Sequence, residues 1–145
     1  MDRSEVKMNR TEFLKKLGLG GAALVAVYCS GCSVNDATPA PATNVDFTLD
    51  LTTSANATLN TVGGFVVSNR IVIAKVSSTE FVAVTQVCSH EGRANVTYVK
   101  SSNTFYCNVH GATYDTAGKG LNSEGRNGLT TYKTALTGSS LRIYS

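Results

Sequence analysis

The stretches Cys88-Ser89-His90 and Cys107-Asn108-Val109-His110 decide how this 145-residue chain is interpreted. They contain both histidines of the sequence and two of its four cysteines. Each stretch pairs a thiol with an imidazole, the first at the spacing C-x-H and the second at C-x-x-H. This combination of sulfur and nitrogen donors at short spacing predicts a metal site.

The chemistry of iron-sulfur clusters explains why the two donor types occur together. A [2Fe-2S] cluster normally takes four cysteine thiolates, and replacing two of them by imidazoles on one iron raises the reduction potential. Cys88 and Cys107 would then bind the first iron, and His90 and His110 the second. Side chains two residues apart on an extended segment share a face, so one loop can reach both irons.

At these residues the sequence resembles the Rieske iron-sulfur family, and the resemblance covers residues 45–145. The ligand signature of that family is C-x-H, then C-x-x-H followed by glycine. Gly92 and Gly111 match its tight loops, in which glycine allows a positive φ and backbone N–H groups face the sulfurs. Residues 110–115 also match. The resemblance implies an all-β fold, a Rieske-like antiparallel β-sandwich with a small cluster-binding subdomain of two loops, and a [2Fe-2S] cluster as cofactor.

The sequence departs from the high-potential members of that family. Those proteins carry a further cysteine in each loop, and the two form a disulfide, whereas this chain has Arg93 and Val109. Tyr114 matches a tyrosine of the same subgroup whose hydroxyl bonds a ligand sulfur, but Ala112 stands where that subgroup has serine. We therefore expect a bacterial type without the loop disulfide, with a potential in the lower or middle part of the range from roughly −150 to +300 mV.

Residues 1–31 are predicted to be a signal or anchor segment. A basic start precedes the apolar run 17–27, which is too short to span a bilayer. Cys32 after Ser-Gly resembles a bacterial lipobox and is the predicted lipidation site; an uncleaved N-terminal anchor helix is the alternative. Residues 10–15 are similar to the twin-arginine export signal, although Asn9 replaces its first arginine.

The composition separates the leader from the remainder of the chain. Residues 32–44 carry both prolines among alanines and threonines and are predicted to form a flexible tether, while 45–145 form the Rieske-like domain. Eight basic and seven acidic residues follow residue 31, so nothing indicates nucleic-acid binding. Residues 29–32 also fit a C-x-x-C redox motif, which their place after an apolar leader disfavours.

Short apolar or alternating stretches predict eight strands, of which 81–87 and 104–106 lead directly into the two donor stretches. Polar turns are predicted at 68–70, 101–103 and 138–139. The predicted strands are 45–51, 65–67, 71–76, 81–87, 96–99, 104–106, 129–136 and 141–144.

Three other functions also use cysteine or histidine side chains: a zinc-binding module, an oxygenase and a hydrolase. Structural zinc also takes two cysteines and two histidines, so a zinc-binding structural or interaction module is the alternative, although zinc fingers usually pair like ligands. A Rieske oxygenase needs two further histidines for a mononuclear iron, and the sequence contains none. A hydrolase lacks an unassigned histidine base.

The resemblance implies a one-electron carrier in a membrane-associated redox chain, without catalytic residues of its own beyond the cluster. In its more specific form, the hypothesis is that the chain is the Rieske subunit of a quinol-oxidising complex. The expected partners are the membrane, through the lipid anchor or N-terminal helix, a cytochrome or oxidoreductase subunit, and quinol. The expected location is the cell envelope, facing the periplasm or the cell exterior.

Overall fold

Nine β-strands and one short 3-10 helix make up residues 38–145, the part of the chain that the computed structural model describes. Within this part no helix is long and apolar enough to cross a bilayer. The predicted leader, the lipidation site Cys32 and the twin-arginine-like motif lie outside the described residues. The strands are β1 (Asp46–Asp50), β2 (Phe65–Ser68), β3 (Ile71–Lys75), β4 (Phe81–Thr85), β5 (Val96–Val99), β6 (Thr104–Cys107), β7 (Thr113–Tyr114), β8 (Thr131–Thr137) and β9 (Ser140–Tyr144), and the helix is Ser54–Asn60.

The strands form two antiparallel sheets. The larger has the order β1-β9-β8-β4-β3-β2 and the smaller has the order β5-β6-β7. β8 connects two parts of the larger sheet, because Thr131 and Tyr132 pair with β4 whereas Lys133–Thr137 pair with β9. The all-β prediction is confirmed, and the 3-10 helix, which the sequence analysis did not predict, is held by the fully buried side chain of Leu59.

Residues with positive φ form the hairpin turns between β2 and β3 and between β8 and β9. Asn69 and Arg70 between β2 and β3 have φ of 52° and 60°, the backbone of a two-residue hairpin turn that matches strand twist. Gly138 between β8 and β9 has φ of 61°. Both turns lie where the sequence predicts them.

Two apolar cores lie on opposite sides of β3. Ile71 and Ile73 face the core of the larger sheet, while Val72 and Ala74 face the core of the three-stranded sheet. Alternate residues of a strand point to opposite faces, so an uninterrupted apolar run is buried on both sides. This layering leaves the end of β4 and the end of β6 beside the second core, where the two donor stretches begin.

Candidate metal centre

The first donor stretch lies in the loop from β4 to β5. Cys88 N–H donates to the carbonyl oxygen of Arg93 at 2.8 Å, and Gly92 N–H donates to the carbonyl oxygen of Cys88 at 2.9 Å. Gly92 has φ of 67°, in the left-handed region that glycine adopts without steric cost. The chain therefore turns tightly between the thiol and the glycine.

The loop from β6 to β7 repeats this hydrogen-bond pattern. Cys107 N–H donates to the carbonyl oxygen of Ala112 at 2.9 Å, and Gly111 N–H donates to the carbonyl oxygen of Cys107 at 3.0 Å. Gly111 has φ of 77°. In both loops the glycine lies four residues after the cysteine, so the same two backbone hydrogen bonds shape both donor stretches.

The loops bring like donors together from different stretches. Cys88 is 2% exposed and Cys107 is fully buried, and the Cys88 thiol is close enough to raise the pKa of the Cys107 thiol. The rings of His90 and His110 are exposed, with centroids 4.9 Å apart and an interplanar angle of 67°. The site therefore has two thiols in the interior and two imidazoles at the surface.

The surroundings of Cys107 bear on whether its thiol can serve as a metal ligand. Burial raises the pKa of this thiol, and the neighbouring Cys88 thiol raises it further, whereas backbone N–H groups of Val109 and His110 lower it. Two adjacent buried thiolates need compensating positive charge, because burial penalises the charged form. Iron ions bound between them would supply that charge, so this donor set fits an iron-sulfur cluster.

Tyr114 is fully buried beside the first loop. Its hydroxyl oxygen lies 3.2 Å from Cys88 Sγ and 3.2 Å from Ser89 Oγ, within hydrogen-bonding distance of both. Burial, followed by the contact with Cys88, raises the pKa of Tyr114 to about 12. The hydroxyl therefore keeps its proton at neutral pH and can donate to the sulfur. Ala112 is also fully buried and offers no hydroxyl to a sulfur.

Glu91 is an acidic neighbour of the imidazole pair that the sequence analysis did not single out. Its carboxylate oxygen Oε2 lies 3.4 Å from His110 Nε2, and both side chains are partly exposed. Donor atoms of His90, Glu91 and His110 all lie within 4.8 Å of one another. Glu91 directly follows His90, so the sequence places a carboxylate beside one imidazole. Its contact with His110 in the other loop follows only from the fold.

Asn122 holds the second loop from outside, and this residue was also missed. Its Nδ2 donates to the carbonyl oxygen of Gly111 at 2.8 Å. Its Oδ1 accepts from the N–H groups of Thr113 and Gly125, both at 3.0 Å. One side-chain amide thus connects the glycine turn of the loop to the segment after Gly120, and no spacing in the sequence points to it.

Comparison with known proteins agrees with this arrangement. A family model described as Rieske [2Fe-2S] domain matches residues 49–133, more than half of the chain. The fold and the paired loops define an iron-sulfur electron-transfer protein. The chain belongs to the Rieske [2Fe-2S] domain family. The Rieske domain binds a [2Fe-2S] cluster, so the predicted cofactor is confirmed.

The chain is also similar to a solved structure. The crystal structure of the cyanobacterial plasma membrane Rieske protein PetC3 from Synechocystis PCC 6803 matches with a TM-score of 0.52 and 26% sequence identity. The match covers 61% of this chain and 93% of that chain. No curated protein matches the sequence. The structural match confirms the Rieske-like fold predicted from the sequence.

Proposed function

We propose that Cys88 and Cys107 bind one iron of the [2Fe-2S] cluster and that His90 and His110 bind the other. The observation that carries this assignment is the pairing of like donors from two loops with the same hydrogen bonds, buried thiol with buried thiol and exposed imidazole with exposed imidazole. The bound cluster would accept and release one electron.

The exposure of the side chains around the cluster site determines where that electron enters and leaves. The cysteine side of the site is closed by the second core, whereas the imidazole side faces solvent. A redox partner that contacts His90 and His110 comes closest to the irons without rearranging the fold. We assign this exposed edge as the contact surface for a cytochrome, an oxidoreductase subunit or a quinol.

The proposed setting is a membrane-associated redox chain on the outer side of the cell membrane. The support is the predicted leader with Cys32 and the similarity to a protein described as a plasma membrane Rieske protein. Cell fractionation tests this proposal: recovery of the native full-length protein only in the soluble fraction after lysis would contradict it. Reduction of the purified protein by a quinol analogue, compared with reduction by a cytochrome, would distinguish the donors.

The proposed reduction potential lies in the lower or middle part of the Rieske range. Tyr114 supplies one hydrogen bond to a ligand sulfur, while the buried Ala112 cannot supply a second. The Glu91 carboxylate beside His110 adds negative charge, which disfavours the reduced and more negative cluster. A redox titration that placed the midpoint near +300 mV, the top of the range, would contradict this proposal.

His110→Ala tests the ligand assignment directly. The variant should lose the electron paramagnetic resonance (EPR) signal of the reduced cluster, because one iron loses a ligand. Val109→Ala is the matched control, since Val109 is the adjacent residue, is 41% exposed and offers no donor atom. An unchanged signal in His110→Ala would show that the assignment is wrong. Iron and acid-labile sulfide in equal amounts, without zinc, would exclude the zinc module.

A further inference from the structure

The two ligand loops are not joined covalently, and each is held in a different way. Arg93 and Val109, which stand where the high-potential members of the family have the cysteines of the loop disulfide, are both exposed. The second loop is held by the side-chain amide of Asn122. At the start of the first loop, Val87 N–H donates to Thr85 Oγ1 at the end of β4 at 3.1 Å. Within residues 38–145, the other side-chain hydrogen bond to the backbone of this loop from outside is a long one of 3.4 Å, from Asn127 to the carbonyl oxygen of Ser89.

A segment from the beginning of the described chain lies against the first loop. We call residues 38–42 the strap. A Cβ atom placed on Gly92 would collide with Thr38 Cγ2 and lie 3.3 Å from Thr38 Cβ, so the strap and the glycine turn are in direct contact. Gly111 in the second loop has open space instead, because a Cβ there would meet only Tyr106 Oη at 3.9 Å.

The other end of the strap is fixed to the larger sheet. The carbonyl oxygen of Ala42 accepts a hydrogen bond of 2.9 Å from Tyr132 Oη, and Ala42 packs against the core of that sheet. Further on, Val45 exchanges hydrogen bonds with the chain end at Ser145. The strap therefore connects a rigid part of the fold to the first loop.

Between the strap and the loop lies an open cavity of about 230 Å³. Pro39 and Pro41 line one side, and Cys88, Ser89 and Gly92 line the other. Proline fixes φ, so the two prolines limit the conformations that the strap can adopt and lower the entropy lost when it packs. The strap thus covers the face of the loop that carries the proposed ligand Cys88.

The geometry points to the strap as a positioning element of the first ligand loop. It holds the Gly92 turn in place by direct packing and connects this turn to the larger sheet. The loop that carries Cys88 and His90 is thereby braced by residues 38–42, and the loop that carries Cys107 and His110 is braced by Asn122. The inference rests on the proposed ligand assignment for its functional meaning, but its contacts can be tested on stability alone.

Matched glycine variants of the full-length holoprotein provide the first test. Gly92→Ala and Gly111→Ala both force an L side chain to positive φ, but only Gly92→Ala collides with Thr38. We expect Gly92→Ala to lower the folding equilibrium constant roughly tenfold more than Gly111→Ala, about 1.4 kcal/mol. Thr38→Ala should recover most of this difference in Gly92→Ala and none of the loss in Gly111→Ala.

The readouts are the free energy of unfolding, measured in urea by circular dichroism, and the EPR g values of the folded protein. Equal losses in the two glycine variants, or a Thr38→Ala exchange that rescues neither or both, would overturn the inference. Loss of the EPR signal in His110→Ala concerns the ligand assignment alone, so failures of the two proposals are distinguishable.

Hydrogen exchange measured by mass spectrometry gives a second test that does not depend on the folding of Gly92→Ala. Replacing both Pro39 and Pro41 by glycine should loosen the strap. We expect exchange in the peptide containing the Gly92 amide to become roughly tenfold faster, while the peptide containing the Gly111 amide is unchanged. Equal acceleration in both loops, or none in the first, would show that the strap does not position this loop.

Discussion

Among residues 38–145, the core of the six-stranded sheet contains one ionisable side chain, Tyr132. The core beside the three-stranded sheet contains four from the same range, namely Cys88, Cys107, Tyr98 and Tyr114. The two cores share β3 as a wall and differ in what fills them. Aliphatic groups such as Ile73 and Leu141 fill most of the first core, and their burial stabilises it through the hydrophobic effect. The second core encloses two thiols, the proposed iron ligands, whose charged form is penalised by burial.

This difference divides the molecule into a part that supports and a part that binds. The larger sheet joins its strands over many paired residues, and β1 and β9 alone pair along five positions. β7 in the smaller sheet contains only Thr113 and Tyr114, so that sheet depends more on the loops and their ligand. Substitutions on the two sides of β3 should therefore have different consequences.

The largest expected effect comes from Ile73→Ala, which removes a fully buried side chain from the core of the larger sheet. Such a truncation lowers the free energy of unfolding by about 2–5 kcal/mol. The EPR g values of the folded fraction should stay unchanged. Val72→Ala, next on the same strand but facing the other core, is the matched variant and should alter the g values. Altered g values in Ile73→Ala together with unchanged g values in Val72→Ala would contradict the division into two parts.

Removal of iron with a chelator under reducing conditions should loosen the binding part only. In the proposed assignment, iron compensates the charge of the buried Cys88 and Cys107 thiolates, and structural metal binding contributes to folding free energy. We expect amide exchange in β5 and β6 to become roughly tenfold faster, about 1.4 kcal/mol, and exchange in β3 and β9 to change little. A uniform increase along the described chain would show that the two sheets unfold as one unit.

Tyr114→Phe should lower the reduction potential with little effect on the fold. One hydrogen bond to the sulfur is worth about 1 kcal/mol, which for one electron corresponds to a decrease of roughly 40 mV. Tyr98→Phe is the matched control, because Tyr98 lies in the same core but its hydroxyl contacts Asn103 instead of a cysteine. A redox titration measures both variants, and equal shifts would refute the specific role of Tyr114.

The larger sheet could be predicted well because its evidence is local. The alternation of 45–51, the apolar run 71–76 and the turn 68–70 each appear in a few consecutive residues, and the structure places strands or a turn there. The 3-10 helix escaped prediction because Ser54–Asn60 are mostly small and polar, and only the burial of Leu59 fixes them. β7 escaped because two residues make no periodic pattern.

The donor stretches could be found from spacing, whereas the residues that support them could not. Cys88 and His90 are neighbours in the sequence, but Asn122 acts on Gly111 and Thr38 acts on Gly92 from distant positions. Packing between distant segments has no period or motif in the sequence. The strap lies in the segment 32–44 that was predicted to be a flexible tether, and from Thr38 onward it contacts the domain.

The smallest expected effect concerns the ion pair between Asp46 on β1 and Arg142 on β9, on the exposed face of the larger sheet. The two nitrogen–oxygen contacts are 2.8 and 2.6 Å, and the hydrogen bond from Arg142 holds the pKa of Asp46 below 3.8. An aspartate with a lowered folded-state pKa stabilises the protein above its unfolded pKa, and this contribution is lost as the pH falls through the folded value. Asp46→Asn should therefore be slightly less stable than the native protein in urea unfolding at pH 7. The difference should shrink as the pH falls below the ordinary aspartate pKa of about 3.9 and vanish below the lowered folded-state pKa of Asp46. Arg142→Gln should show the same small loss at pH 7, and the double variant no further loss, because each substitution removes the same pair. If the stability difference between the native protein and Asp46→Asn grew on acidification, the Asp46–Arg142 ion pair would not be its source. The charges on this face would then contribute to stability in a way that the two cores do not explain.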